Sequence, residues 1–164
     1  MLLTLRRFVF SFLLDILPSS CFAWRRFVLR VMGVRIKKSA RVNSGFRVYG
    51  GGPCAIGENV WIGKNCHVYT AGANGVFFDD GGEIGPECAF NCQTHKIGDE
   101  SSRAGECILH DVKIGAGSWL GMRVTVLCES VGSGAVLGAG AVVLSDVPCN
   151  VLAAGVPAVV KKNL

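Results

Sequence analysis

From about residue 36 onward the chain repeats itself every six residues, and few folds tolerate that period. The clear units are IGENVW (56–61), IGKNCH (62–67), IGPECA (84–89), FNCQTH (90–95), IGAGSW (114–119), LGMRVT (120–125), VGSGAV (131–136) and LGAGAV (137–142). The first place is aliphatic or Phe in all eight, the second is Gly in seven with Asn91 the exception, and the fifth is small or β-branched throughout. Fainter units precede them at 36–41 and 42–47. A helix repeats about every 3.6 residues and an ordinary strand about every 2, so neither explains a strict six. A short strand plus a turn does, if the units stack as a solenoid and each aliphatic residue is buried on the rung below. The second-place glycine is expected to serve the turn, where a side chain is awkward.

The remaining composition agrees. At 164 residues the chain suits one domain, and 50% hydrophobic residues with a mean hydropathy of +0.41 exclude disorder. The net charge of +5 is unevenly placed: residues 1–50 hold ten Lys/Arg against Asp15 alone, whereas 51–164 are net negative. A basic head implies an anionic surface near the N-terminus. Its cations are interleaved with Leu and Phe and no nucleic-acid motif accompanies them, so nucleic acid is not expected. The eight cysteines include no C-x-x-C, and Cys88-x3-Cys92-x2-His95 is a poor zinc spacing. They read as reduced, small core hydrophobes, with no metal site expected.

Residues 2–17 are too short, and too interrupted by Arg6, Arg7 and Asp15, to span a bilayer. A signal peptide is the alternative, with Cys21-Phe22-Ala23 as a weak cleavage site, and Asp15 opposes it. Read as a helix ended by Pro18, Thr4, Arg7, Ser11 and Asp15 form one polar stripe on an apolar cylinder. A second helix is expected from an N-cap at Ser20 to a C-cap at Gly33. Residues 1–34 suit either peripheral membrane contact or burial in an oligomer.

The hexads lose phase twice, predicting loops near 70–83 and 96–107, and loops on a rigid solenoid are where sites are built. His95 ends a hexad where the second loop departs, beside an inward fifth place, so its side chain is expected to point outward. His67 and His110 read as surface residues.

The hexads, together with GAGSWLGMRVTVL (115–127), DVPCNVLAAGVPAVVKK (146–162) and FVLRVMGVRI (27–36), resemble the hexapeptide-repeat acyltransferases. Within them the resemblance is to maltose, galactoside and colanic-acid-type exopolysaccharide O-acetyltransferases. It implies an all-β fold: a left-handed parallel β-helix at 36–147, an N-terminal helical segment at 1–35 and a C-terminal closing segment at 148–164. It also implies a cytoplasmic homotrimer, peripheral on the membrane if residues 1–34 dock there, that moves acetyl directly from acetyl-CoA to a sugar hydroxyl in cell-surface polysaccharide biosynthesis. Carried onto this sequence, the general base is His95, and the acceptor contacts are Asp79 or Asp80, with Tyr69 where the family has asparagine. Coenzyme A falls to Trp119, Gly121, Met122, Ala139, Gly155, Pro157 and Lys161. Val159 replaces a basic residue usual in the closing segment.

The chemistry fits these residue types. An imidazole removes the hydroxyl proton as oxygen attacks the thioester, and a fixed backbone N–H meets the oxyanion. Rival readings are a Cys92 nucleophile, transfer to serine or an amino sugar, and a non-catalytic trimeric scaffold. Zinc hydration chemistry of the β-helical carbonic anhydrases is disfavoured, because His67, His95 and His110 lack a close pair.

Overall fold

The structure is a computed structural model that describes residues 2–164. The hexads form a three-faced parallel β-solenoid. Its first coil is β1 (Arg35–Ile36), β2 (Arg41–Val42) and β3 (Arg47–Tyr49), and its second is β4 (Cys54–Ile56), β5 (Trp61–Ile62) and β6 (His67–Tyr69). The third is β7 (Val76–Phe78), β8 (Glu83–Ile84) and β9 (Ala89–Asn91). A hairpin of β10 (Gln93–Ile97) and β11 (Ala104–Leu109) then leaves the solenoid. The fourth coil is β12 (Val112–Ile114), β13 (Trp119–Leu120) and β14 (Thr125–Val126), and the fifth is β15 (Ser130–Val131), β16 (Val136–Leu137) and β17 (Val142–Val143).

Successive coils pair in parallel on every face. Ile36, Ile56, Phe78, Ile114 and Val131 stack on the first face, Val42, Ile62, Ile84, Leu120 and Leu137 on the second, and Val48, Val68, Phe90, Val126 and Val143 on the third. All fifteen are buried, as are the fifth-place residues Val60, Cys66, Cys88, Ser118, Val124, Ala135 and Ala141. Each large aliphatic or Phe side chain so buried contributes about 1.5–3 kcal/mol.

The second-place glycines do not supply the turn conformation. The left-handed backbone falls at the fourth place of the hexad, at Asn59, Asn65, Glu87, Gly117, Arg123, Gly134 and Gly140. The second place is where coils touch. A Cβ on Gly85 would stand 2.7 Å from the backbone of Gly121 and Met122, and one on Gly121 would stand 2.6 Å from the Ala139 nitrogen. Glycine is demanded there by coil spacing.

Several boundaries differ from expectation. The stretch expected as a loop near 70–83 is only partly one: Thr70–Gly75 bulges, closed by a bridge between Ala71 and Asn74, and Val76–Phe78 and Glu83 are ladder. Val76 and Phe78 turn inward and return the chain to the first face. Hexad 90–95 is interrupted after Cys92, so Thr94 is exposed on the hairpin and fills no core position. The closing segment does not leave the solenoid at 148, because β18 (Val151–Ala154) continues the second face in parallel on β16. Only β19 (Val159–Asn163) turns back antiparallel.

At the N-terminus α1 (Leu2–Ser11), a 3-10 turn (Phe12–Leu14) and α2 (Phe22–Val31) pack on the first coil. The first helix ends well before Pro18, and the α2 N-cap is Cys21 rather than Ser20. Of the polar stripe of α1, Arg7 is buried against the protein and Thr4 is exposed. Arg7, 2% exposed, donates to the carbonyls of Met32 (3.3 Å) and Gly50 (2.8 Å) and to Thr70 Oγ1 (3.3 Å). Asp15 accepts from the Gly45 N–H (2.7 Å) and from Arg47 (2.5 Å). Fully buried Arg25 donates to the carbonyls of Leu14, Leu17, Pro18 and Ser19, tying down the link between the helices. Two of the ten N-terminal cations are therefore internal donors. No helix among the described residues is long and apolar enough to cross a bilayer.

All eight cysteines are free. Cys54, Cys66, Cys88, Cys92 and Cys128 pack in the core, but Cys107 and Cys149 are exposed, so the core reading fails for those two.

Candidate active site

His95 lies on β10, a strand exposed along its whole length, so its side chain does point outward. Its Nδ1 is 2.9 Å from the carbonyl oxygen of Gly105 on β11. A carbonyl only accepts, so this contact puts the ring proton on Nδ1 and leaves the Nε2 lone pair free. The hairpin is built to hold that ring. A bulge between His95 and Ile97 breaks the register, Lys96 and Glu106 pair at 2.5 Å, and the Asp99 carboxylate accepts from Ser101 and Ser102 to close the tip. The hydrogen bonds from Ser101 and Ser102 hold the Asp99 carboxyl below its ordinary range.

The hairpin departs where the third face meets the first. At that corner Tyr49 and Tyr69 stack with centroids 4.9 Å apart and planes at 15°, and Asn91 follows Tyr69 in the ladder. Tyr69 thus belongs to a column that leads to the base of the His95 hairpin. Tyr49 and Gly105 have no place in the sequence reading, and Asn91 enters it only as the exception at the second place of the hexads. Tyr49 occupies the same ladder position as Tyr69 one coil earlier, a signal visible only once the coil length is known.

Asp79 and Asp80 lie elsewhere, in the turn after β7 where the first face meets the second. Asp80 Oδ1 accepts from the Glu58 N–H at 2.7 Å, a turn-capping role. Both aspartates border a groove of about 660 Å³ that also carries Arg30, Arg35 and Lys37. Within one chain they are a face away from His95.

The coenzyme candidates are brought together. Trp119, Gly121, Met122, Ala139, Gly155, Pro157 and Lys161 collect on the last three rungs of the second face and on the corner that follows it. There Gly121 N–H donates to Leu137 O, Gly140 N–H to Met122 O and Val142 N–H to Gly155 O. Trp119 is 56% exposed and Met122 39%, leaving apolar surface beside backbone that carries no side chains. The third face separates this corner from His95, so a single chain does not assemble the whole constellation.

The other histidines are not plain surface residues. His67 is half-buried, and burial together with the Arg47 charge pulls its pKa below the usual histidine value. His110, also half-buried, has its Nε2 enclosed without a partner among the described residues. Cys92 is fully buried and burial pushes its thiol up to about 11, so it is no thiolate at neutral pH. Among the described residues no three His, Cys, Asp or Glu are arranged to hold a metal.

The chain is similar in sequence to proteins named galactoside and colanic acid biosynthesis acetyltransferases, and similar in fold to solved acetyltransferases. It is 31% identical over 121 residues to the galactoside O-acetyltransferase of Escherichia coli K12, covering 62% of this chain and 60% of that one. It is 27% identical over 144 residues, 87% of this chain and 76% of the other, to the E. coli K12 protein provisionally named as the colanic acid biosynthesis acetyltransferase WcaF. A galactoside acetyltransferase solved with coenzyme A superposes with a TM-score of 0.63 over 98% of this chain and 80% of its own, at 23% identity, which is a likeness of fold. No family model matches the chain. The chain spans about 60% of the length of that E. coli galactoside enzyme.

Proposed function

We propose that this chain is an acetyl-CoA-dependent O-acetyltransferase acting on a sugar hydroxyl in cell-surface polysaccharide biosynthesis. The observation that carries the reading is the His95 Nδ1 contact with the Gly105 carbonyl, which presents Nε2 as a base on a rigid hairpin. Nε2 takes the proton of the acceptor hydroxyl as its oxygen attacks the thioester carbonyl, and a backbone N–H meets the oxyanion. Collapse expels the coenzyme A thiolate, which recovers the proton from His95. No acyl-enzyme forms, and the buried Cys92 thiol has no part.

Separation of the coenzyme corner from His95 by the third face favours a site completed between copies of a homotrimer. Coenzyme A lies along Trp119, Gly121, Met122, Ala139, Gly155, Pro157 and Lys161 of one copy, near His95 of the next. Asp79 or Asp80 reaches the acceptor only across such a contact, while the Tyr69 column offers a flat apolar face to a pyranose. Left-handed winding of the coils and a cytoplasmic location belong to the same reading.

The test is thiol release from acetyl-CoA by purified protein with a panel of sugars, nucleotide sugars, amino sugars and serine. A sugar hydroxyl is expected to stimulate release. Stimulation by serine or an amino sugar alone transfers the activity to that acceptor, and no stimulation by any of them leaves a non-catalytic scaffold.

A further inference from the structure

Helix α1 is docked through the side that carries Leu3, Arg7 and Phe10, and Leu14 of the 3-10 turn is fully buried. Of its polar stripe, Arg7 and Asp15 bond to the solenoid, Ser11 is half-buried and Thr4 is exposed. The opposite side, at helical spacing, is Leu2, Leu5, Val9, Phe12 and Ile16, with Phe8 alongside, exposed by 46–82%. On α2, Phe27 is 58% exposed beside Trp24. The helix cannot roll to hide its stripe, because that would strip Arg7 of Met32 O, Gly50 O and Thr70 Oγ1. Contiguous exposed apolar surface of this kind marks an interaction site.

Charge selects the partner. Arg6, Arg26, Arg30, Arg35, Lys37, Lys38 and Arg41 occupy the helices and first coil, and Asp15, the only carboxylate in residues 1–50, is already held by Arg47 and Gly45. Lys37 pairs with Glu58, and Arg30, Arg35 and Lys37 share a groove with Asp79 and Asp80, yet cations outnumber carboxylates on this end. An apolar stripe beside such an excess fits an anionic lipid surface. It disfavours a second copy of the chain, whose like-charged end would face this one. We infer that α1 and the 3-10 turn lie in the interface of an anionic membrane, inserting Leu5, Phe8 and Phe12 and holding the solenoid on that surface. The inference stands apart from the catalytic reading, since binding is measured on the protein alone.

The full chain is sedimented with vesicles of phosphatidylcholine alone, or with about one third phosphatidylglycerol. Binding is expected to the anionic vesicles, weakly to the neutral ones, and to fall at about 0.5 M salt. Leu5→Ser with Phe8→Ser and Phe12→Ser should weaken it at least about tenfold, with circular dichroism and thiol release unchanged. Arg6→Gln with Lys38→Gln should weaken only the anionic component. Should the triple variant fold poorly, Phe8→Trp keeps the question open to measurement: the emission it adds to that of the wild type is expected to shift blue on anionic vesicles and to be quenched by brominated lipid. A full chain that stays in the supernatant, or an added indole emission indifferent to vesicles, overturns the inference. So does a folded triple variant that binds vesicles undiminished, or one that only loses oligomeric mass in light scattering, which would make the stripe a contact between copies.

Discussion

The Nδ1 of His95 lies 2.9 Å from the backbone carbonyl of Gly105, across a hairpin that stands clear of the solenoid. The ring is held by main chain, so the base is oriented before substrate arrives. His95→Ala should lower kcat by about 10²–10⁴-fold with little change in the KM for acetyl-CoA, the loss expected of a general base. Gly105→Ala places a Cβ 3.0 Å from the Lys96 carbonyl and should lower kcat less, by tilting the ring. Full activity in His95→Ala would remove the proposed base.

Thiol reagents separate the direct mechanism from a cysteine nucleophile. Burial pushes Cys92 and Cys128 up to about 11 and Cys54 to about 12, so iodoacetamide at neutral pH should spare them and label exposed Cys107 and Cys149. Cys107 pairs with His95 across the hairpin, so its adduct should inhibit, and Cys107→Ser should protect. Peptide mapping that ties inactivation to Cys92 would contradict this.

The coil contacts make a stability prediction. Gly85→Ala drives a methyl into the Gly121–Met122 backbone and should cost about 1–3 kcal/mol of overpacking in urea denaturation. Asn65→Gly, at a fourth-place residue with φ of 58°, should be near neutral, since glycine adopts that conformation freely.

Lys161 is the cation proposed for the coenzyme phosphates. Lys161→Ala should raise the KM for acetyl-CoA about tenfold and leave kcat nearly unchanged, as for an interaction equal in ground and transition states. A fall in kcat alone would place Lys161 elsewhere.

Asp15 fastens the helical segment. Burial opposes its ionisation, but hydrogen bonds from Arg47 and Gly45 and the charges of Arg47 and Arg25 outweigh it and hold its carboxyl below the ordinary range. A depressed folded pKa stabilises fully above the unfolded value of about 3.9 and fades as pH falls through the folded one. The stability gap between wild type and Asp15→Asn should therefore be constant from neutral pH to about 4 and close below it. A gap that closes near pH 6 would assign it to another group.

The solenoid was legible because its signal is local: each hexad carries its own inward aliphatic residue, and eight agree. While the role of His95 as a base was implied by the resemblance alone, its position was legible for the same reason, since it sits where the period fails. Tyr49, Asn91 and Gly105 were not, because their partners are set by how many residues each coil consumes. The step from Ile36 to Ile56 is longer than that from Ile114 to Val131, and the bulge at Thr70–Gly75 is not written in the repeat. Nor does the repeat say on which face Asp79 and Asp80 fall, and the fold sets them a face away from His95 within one chain.

What the sequence determined by itself was periodicity: a β-solenoid, two apolar helices, one polar stripe on the first of them. Tertiary structure alone decided which side of that helix is buried: Arg7 and Phe10 turn inward while Thr4 of the stripe stays exposed. Arg7 finds its acceptors at Met32, Gly50 and Thr70, on three separate segments that only the stacked coils bring together. Those three acceptors hold the Arg7 guanidinium, although its Nη2 keeps no partner among the described residues, and with Arg7 fixed inward Leu5, Phe8 and Phe12 are left on the exposed face.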